Sequence, residues 1–576
     1  MKVRYSAGLV GAVASAAVVA TTMVGVAGLA SAKAVHRQGP VSGGTVVAAL
    51  PTQTNLTWYF PYVNTAQDSL YNFQLINELY KPLVWINNKY QIDYQESVAN
   101  KITYNSAGTV YHVFLNPKWK WSDGTPVNTK DILFSWNVLK ATDLSNAAPW
   151  PNVLNGSGDM PNGVKSLVAN GPYEFTITLK QPANQEWYIY NGLSQITPLP
   201  LAFDKYPNNI AQEIKYLGTN ATNPKFDTVV DGPFMLQSAT ANQQWVLVRN
   251  PKYSGHVAYL DKFIFQYEAS DTAEFAGLKT GTIQLGAVPL SDFSAIPELT
   301  NDNTFVSYGF SYFDTELNFN STAPGGMGPV FSSLPVRQAL QMAVNYNEIN
   351  TAIYHGDAPP MDGPIPTNPA TPYLSPDLKK DPYAYNPTRA KQTLAAAGWS
   401  LKNGVMTNAK GQKLAFTMMY SSGDTAGTDV VELMQQDWKA IGIDVTLKPE
   451  PFATMLGLMA KPNDWQAASD QGIIYGGSYP SGEALFQTGA GLNNMGWNDP
   501  TENSLINASI KPYATKAESL QAFYAYEDYT AKELVNLWAN NFGTINAVAK
   551  TLHGAKAYGN SLTGYAQLEY FWVSPS

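Results

Sequence analysis

The fold is decided by the stretch Lys118-Trp119-Lys120-Trp121-Ser122-Asp123-Gly124-Thr125-Pro126-Val127. Its Asp-Gly step predicts a tight turn. Asn128 or Thr129 then follows as a helix N-cap, because either side chain can accept a hydrogen bond from a free backbone N–H of the first helical turn. The apolar positions predicted for one face of this helix are Ile132, Leu133, Trp136 and Leu139. We expect the tryptophans of the stretch to fill a core and not to contact a ligand.

Composition narrows the class of protein. With 576 residues the chain is too long for one hydrophobic core, which predicts two or three domains. Charged residues make up 14%, against about 25% in a typical soluble protein. The formal net charge of -8 argues against nucleic-acid binding, since phosphate contacts need clustered Lys and Arg. Cysteine is absent, which excludes disulfides, thiolate metal sites and Cys nucleophiles.

The N-terminal residues 1–34 are expected to be an export signal. Lys2 and Arg4 precede an uncharged segment from Ser6 to Ala32 that ends in small residues. Cleavage is expected after Ala32 or Ala34. Because the apolar segment is longer than the roughly 7–15 residues of a usual signal core, an uncleaved membrane anchor is the alternative.

The order of elements in the last third of the chain indicates an α/β fold. A strand at 415–420, a helix at about 427–441 and a strand at 442–447 follow one another, which is typical of parallel strand pairing. Upstream of this unit, the apolar spacing predicts one long helix from Val336 to Ile353.

Six segments, taken together and in this order, carry a family resemblance. They are Asn77–Val84, Trp119–Trp136, Asn250–Lys262, Gly277–Gly281, Val336–Leu340 and Ala390–Gly398. The series resembles the family 5 extracytoplasmic solute-binding proteins of ABC importers, which include oligopeptide- and dipeptide-binding proteins. Two features depart from the family pattern: Gln284 replaces a customary Asp, and no Cys stands at the signal-cleavage site for a lipid anchor.

The resemblance implies a two-lobed periplasmic-binding-protein fold of type II, large cluster, with an extra inserted subdomain. The implied boundaries are 43–80 plus 195–314 plus 541–576 for a split lobe I, 81–194 for the inserted subdomain II, and 315–540 for lobe III. Strands that cross between the lobes are expected at Leu317–Asn320 and Trp538–Asn541. A ligand would be trapped in the cleft as the lobes close about this hinge.

In the peptide-binding branch of the family, the ligand backbone pairs with a strand of the second lobe. The matching stretch here is Gln471–Pro480. The expected contacts are Gly472, Ile473, Ile474, Tyr475 and Gly476. Gly476 stands where the branch has an Asp that holds the amino terminus of the ligand, so this mode of recognition is in doubt.

Aromatic and amide side chains favour an oligosaccharide ligand instead. Aromatic rings stack on the apolar faces of sugars, and amides hydrogen-bond hydroxyl groups. The residues expected to serve in this way are Trp58, Tyr59, Tyr62, Asn64, Tyr312, Phe452, Asn493 and Asn494. Peptide remains the first choice, with oligosaccharide as the alternative.

A secreted hydrolase is the alternative of another class. The sequence has no His-Glu-x-x-His zinc motif, no Gly-x-Ser-x-Gly elbow and no P-loop lysine pattern. We therefore expect a binding protein without enzymatic activity, catalytic residues, cofactor or metal. The expected location is extracytoplasmic, and the expected partners are the ligand and the transmembrane subunits of an ABC permease. Membrane contact would come through the permease or an uncleaved N-terminal anchor, and the protein would act as a monomer.

Overall fold

The computed structural model describes residues 39–143, 148–226, 228–379, 382–422, 424–469, 473–474, 478–490 and 492–575. The predicted signal segment, residues 1–34, lies outside the described residues. The helices are α1 Leu70–Leu79, α2 Thr129–Ala141, α3 Gln185–Trp187, α4 Ile210–Asn220, α5 Asp271–Thr280, α6 Met327–Phe331, α7 Leu334–Ala343, α8 Tyr346–Ala352, α9 Pro387–Ala396, α10 Thr425–Ala440, α11 Phe452–Met459, α12 Pro500–Ser509 and α13 Lys516–Glu533. Within this described part, no helix has the length and apolar character needed to cross a bilayer.

The strands form three larger sheets and several short pairs. In chain order they are β1 Thr45–Ala49, β2 Ala99–Tyr104, β3 Val110–Leu115, β4 Val164–Gly171, β5 Glu174–Leu179, β6 Phe234–Thr240, β7 Gln244–Arg249, β8 Lys262–Gln266, β9 Leu285–Ala287, β10 Asp302–Tyr308, β11 Ser311–Tyr312, β12 Asp314–Leu317, β13 Ser400–Lys402, β14 Val405–Thr407, β15 Ala415–Ser421, β16 Asp444–Glu450, β17 Ala467–Ser469, β18 Ile473–Ile474, β19 Leu537–Trp538, β20 Gly543–Ala549, β21 Leu552–His553 and β22 Trp572–Val573.

The two largest sheets are each mixed and each gather distant parts of the chain. The seven-stranded sheet has the order β10-β20-β9-β1-β8-β7-β6, with β1 parallel to both β8 and β9. The five-stranded sheet has the order β16-β15-β17-β12-β19, with β15 parallel to both β16 and β17. The predicted parallel pairing around α10 is thus confirmed. A third, antiparallel sheet has the order β2-β3-β5-β4.

The chain passes twice between the seven- and five-stranded sheets. It leaves β10 for β12 through residues 309–313, and it returns from β19 to β20 through residues 539–542. The two connections lie side by side, since Phe313 N donates to Asn540 O at 2.9 Å and Ala539 N to Phe313 O at 3.1 Å. The first crossing precedes the predicted Leu317–Asn320, because Leu317 already pairs with Ala467 inside the five-stranded sheet.

The stretch from Lys118 to Val127 forms the predicted turn and core. Trp121 N donates to Thr125 O at 2.9 Å, and Gly124 has φ +96°, a conformation that favours glycine. Trp119 and Trp121 are buried. Asn128 caps α2 through a capping box with Asp131, so the predicted start of this helix is confirmed.

The long helix predicted from Val336 to Ile353 is wrong. The structure has two helices here, because Val344 adopts extended backbone angles and Asn345 begins α8 by accepting a hydrogen bond from Glu348 N. Arg337, at the start of α7, is buried and stacks on the ring of Trp497 at 5.2 Å. Arg337 thus serves the packing of this region.

A buried ion cluster joins three distant parts of the chain. Lys81 Nζ lies 2.7 Å from Glu96 Oε2 and 3.2 Å from Glu569 Oε1, and all three side chains are almost fully buried. Because charges out of water are costly unless paired, this cluster fixes the end of α1, the segment before β2 and the C-terminal segment against one another.

Candidate functional site

A cavity of about 2940 Å³ lies between the sheets. Its wall is built from segments within 51–86, 143–197, 271–291, 421–426, 456–460, 478–512, 542–545 and 562–565, together with Glu316. Phe542, in the second crossing segment, is part of the wall. The volume exceeds the roughly 300–1,000 Å³ of a drug-sized pocket, so the cavity admits a ligand of several linked units.

One side of the cavity is closed by hydrogen bonds between two segments nearly three hundred residues apart. We name these contacts the clasp; it joins residues 158–191 to residues 479–519. The Asn191 side chain binds the backbone of Tyr479 twice: Nδ2 donates to Tyr479 O at 2.8 Å, and Oδ1 accepts from Tyr479 N at 3.0 Å. Asn184 adds a bond from its Nδ2 to Ser519 Oγ at 2.7 Å. Both segments also contribute residues to the cavity wall, although Ser519 itself does not. The clasp therefore covers that side of the cavity.

Glu483 forms the charged part of the clasp. Its Oε1 accepts from Gly158 N at 3.1 Å and from Trp187 Nε1 at 3.0 Å. Burial raises the pKa of Glu483 to about 7; these hydrogen bonds oppose the shift, and the charge of Asp159 adds to it. A carboxyl with this pKa changes its charge near neutral pH, so the clasp carries a titratable group in the cavity wall.

A second buried carboxyl lies elsewhere in the wall. Glu274, in the first turns of α5, accepts a hydrogen bond from Ala287 N at 2.8 Å. Burial raises the pKa of Glu274 to about 7, and the nearby charges of Asp271 and Glu268 add to the shift. Among the described residues, no three His, Cys, Asp or Glu side chains converge on a point that could hold a metal ion.

Comparison with known proteins identifies the class. A family model described as bacterial extracellular solute-binding proteins, family 5 (middle region), matches residues 93–496. This match covers more than two thirds of the 576 residues. The chain belongs to this family.

Relatives in family 5 bind different solutes. The oligopeptide-binding protein AppA of Bacillus subtilis (strain 168) is 25% identical over 390 residues, which are 67% of this chain and 66% of AppA. The nickel-binding periplasmic protein of Escherichia coli (strain K12) is 28% identical over 380 residues, 64% of this chain and 65% of that protein. The present chain therefore matches about two thirds of the length of these curated relatives.

Similarity to solved structures identifies the fold of this chain. The structure of AppA from Bacillus subtilis in complex with a nonapeptide superposes with a TM-score of 0.77 at 23% sequence identity, covering 93% of this chain and 100% of AppA. The predicted fold class, α/β with the two-lobed type II periplasmic-binding-protein architecture, is confirmed. The family consists of solute-binding proteins, and the two curated relatives described above are binding proteins, which gives the hydrolase alternative no support.

Within this family 5 fold, the aromatic residues that were predicted to contact a ligand fall into two groups: some border the cavity wall and others lie in the hydrophobic core. Asn64 lines the cavity; Tyr62 borders it but is only 2% exposed, so its ring also belongs to the core. Trp58 does not line the cavity, since it is 3% exposed, packs edge-on against Trp150 at 5.4 Å and donates from Nε1 to Tyr62 O. Two further predicted residues also lie in the core and outside the cavity wall, namely Tyr59 and Tyr312. A buried ring that fills a core cannot stack on a ligand in this conformation.

The predicted peptide-pairing stretch is only partly described. Ile473 and Ile474 form β18, which pairs antiparallel with Ser311 and Tyr312 of β11. Gly472, Tyr475 and Gly476 lie outside the described residues, as does the side chain of Phe452, the first residue of α11.

The two predicted amides on the next loop differ in role. Asn494 lies in the cavity wall. Asn493 instead holds its own loop together, because Nδ2 donates to Trp497 O at 2.8 Å and Oδ1 accepts from Trp497 N at 2.9 Å. Asn493 therefore shapes the loop that presents Asn494.

No sequence pattern singled out the clasp. Tyr479 lay within the quoted stretch Gln471–Pro480, and Glu483 follows only a few residues later. A single Asn or Glu carries no periodicity and no motif, however, and the partners Gly158, Trp187 and Asn191 are distant in sequence. The only available signal was the position of Glu483 next to a predicted ligand strand.

Proposed function

We propose that the protein is the extracytoplasmic solute-binding component of an ABC importer and that it captures an oligopeptide in the cavity between its lobes. The observation that supports this proposal best is the large cavity, whose wall includes Phe542 of the second crossing segment, in a family 5 fold. Its volume suits an extended chain of several residues better than a single small solute. The name of AppA, an oligopeptide-binding protein, supports the same class of ligand.

The mechanism is closure about the paired crossing segments. Lobe I comprises 43–80, 195–314 and 541–576, subdomain II comprises 81–194, and lobe III comprises 315–540. A ligand that contacts both sides shifts the population from open to closed, by as much as its affinities for the two states differ. The clasp belongs to the closed form, since Asn191 lies in subdomain II and Tyr479 in lobe III. The closed monomer then docks on the permease, whose ATPase supplies the energy for import.

The ligand backbone is expected to pair with the strand around Gly472 to Ile474. Backbone pairing needs no particular side chain on the ligand, which suits a binder of varied peptides. β18 pairs with β11 along one edge; among the described residues no strand pairs with its other edge, which we expect to receive the ligand strand.

An oligosaccharide ligand is the less favoured form of the same function. Two of the rings on which it depends, Trp58 and Tyr59, are buried in the core. Asn64 and Asn494 remain in the cavity wall and would have to recognise the sugar without these rings, since the ring of Tyr62 at the edge of the wall is also buried.

Thermal shift of the purified protein against separate ligand pools tests the function. We expect peptide pools to raise the melting temperature by mass action, and cello-, xylo- and manno-oligosaccharides and nickel ions to leave it unchanged. Mass spectrometry of the released ligand is expected to recover peptides of unchanged mass, as a binding protein requires. Stabilisation by sugars or nickel alone would overturn the peptide assignment, and cleaved peptides would restore the hydrolase alternative.

A further inference from the structure

The wall of the cavity is far more acidic than the protein as a whole. Among the described residues, eight carboxylate side chains and one cation line it. The carboxylates are Asp68, Asp143, Asp159, Asp271, Glu274, Glu316, Asp424 and Glu483, and the cation is Lys511. The whole chain has 44 acidic residues (Asp and Glu) and 36 basic residues (Lys and Arg). A wall of average composition would therefore carry nearly as many bases as acids, so the excess of acids belongs to this surface.

A concave wall strengthens the effect of these charges. Low-dielectric walls focus the field into a cleft, which raises the local concentration of ligands of opposite charge. The wall acids come from all sides of the cavity, including α5, the start of α10 and the loop after β18. Because no group of three described side chains converges as a metal site, this field suits a cation that is extended and organic.

Gln195 gives an independent sign of a missing hydrogen-bond donor. It lines the cavity beside the clasp and is 7% exposed. Its Nε2 donates to Ser157 O and to Asn191 O, both at 2.5 Å, which fixes the orientation of the amide. Its Oε1 is buried and has no hydrogen-bond partner. A buried carbonyl oxygen without a donor is costly, so this position favours a ligand that brings an N–H group.

The same corner of the cavity holds two carboxylates. Glu483 and Asp159 both line the wall here; burial is the main cause of the raised pKa of Glu483, and repulsion from the charge of Asp159 adds to it. The bonds accepted by Glu483 from Gly158 and Trp187 are both to Oε1. Lys180 acts on Asp159 from outside the wall and offsets part of its charge. A ligand cation placed at this corner would relieve the remaining repulsion and supply the donor that Gln195 lacks.

We infer that the cavity selects cationic peptides, whose ammonium or guanidinium groups are bound by the wall carboxylates, with Glu483 and Gln195 forming the principal cation subsite. This inference rests on the proposed peptide-binding function and adds the charge class of the peptide. Anionic peptides are excluded by the same field, since like charges in a desolvated cleft repel strongly.

Isothermal titration with three matched peptides tests the selection. The probes are acetylated and amidated hexapeptides of alanine in which the second and fifth residues are both lysine, both glutamine or both glutamate. We expect the lysine peptide to bind at least about ten-fold more tightly than the glutamine peptide, with the glutamate peptide weakest. The preference is expected to shrink between about 0.05 M and about 0.5 M NaCl as the charges are screened.

Glu483→Gln identifies the subsite. The glutamine keeps an oxygen that can accept from Gly158 and Trp187, but it carries no charge. We expect the ratio of lysine- to glutamine-peptide affinity to fall about ten-fold or more, beyond any loss that the two peptides share through the clasp. Glu432→Gln, at an exposed acid of α10 outside the cavity, is the matched control and should leave the ratio unchanged.

The outcomes separate the inference from the function. Equal affinity for the three peptides, or preference for the glutamate peptide, overturns the selection while leaving peptide binding intact. An equal loss for both peptides in Glu483→Gln would show that Glu483 acts only through the clasp and would overturn the subsite. Failure of all three peptides to bind, together with no response in the thermal-shift pools, would overturn the proposed function and the inference with it.

Discussion

Asn191→Ala tests whether the clasp controls closure. The substitution removes two hydrogen bonds to Tyr479, of 2.8 and 3.0 Å, that join subdomain II to lobe III in the proposed division. In an open form water would solvate the Tyr479 backbone, whereas in the closed form the buried N–H and C=O would lose their partner. At about 0.5–1.5 kcal/mol for each bond, the closed form becomes less stable by about 1–3 kcal/mol relative to the open form.

This free energy sets the size of the expected effect. A shift of about 1–3 kcal/mol changes the ratio of closed to open molecules by about 5- to 150-fold. Because the ligand binds the closed form, its dissociation constant rises by up to the same factor, in full when the closed form is a minor species of the free protein. Small-angle scattering should find a larger radius of gyration for the unliganded variant.

The control for this experiment lies in the same subdomain. Asn170 is an exposed amide whose Nδ2 donates to Thr176 Oγ1 at 2.6 Å, away from the cavity wall. Asn170→Ala should change neither the peptide affinity nor the scattering. If Asn191→Ala binds peptide with unchanged affinity and scatters as the wild type does, the clasp does not control closure and the reasoning is refuted.

Three further predictions concern charge and local structure. Lys81→Met should lower the free energy of unfolding in urea by about 3–5 kcal/mol, because it leaves two buried carboxylates without their cation. The control Lys279→Met breaks an exposed ion pair and should lower the free energy of unfolding by less than about 1 kcal/mol. Equal losses in the two variants would contradict this account. The affinity for the lysine peptide should rise from about pH 6 to about pH 8, because the wall carboxyls of Glu483 and Glu274, whose pKa burial raises to about 7, become charged over this range. The glutamine peptide should show no such rise. The slope should become shallower in Glu483→Gln, and an unchanged slope would assign it to Glu274 or another group. Asn128→Ala removes the cap of α2 and should lower the free energy of unfolding by about 1 kcal/mol in urea melts; no loss at all would mean that water replaces the cap.

Local rules explain which parts of the fold could be predicted. The turn around Gly124 and the capping box of Asn128 and Asp131 depend on residues within a few positions of one another, so the sequence alone specifies them. The order of β15, α10 and β16 likewise follows from periodicity. The broken helix at Val344 was missed because apolar spacing continues across the break, although Asn345 carried the signal of a new N-cap.

The sequence by itself determined the family, the fold class and the kind of function, because local motifs and their order can be recognised along the chain without the structure. It could not decide whether Trp58 and Tyr59 fill the core or face a ligand, since both roles use the same apolar ring surface. Only the tertiary structure decided this, and only it brought Asn191 to Tyr479 and gathered the acids around the cavity. Contacts between residues this far apart depend on how the sheets pack, and packing leaves no local pattern in the sequence.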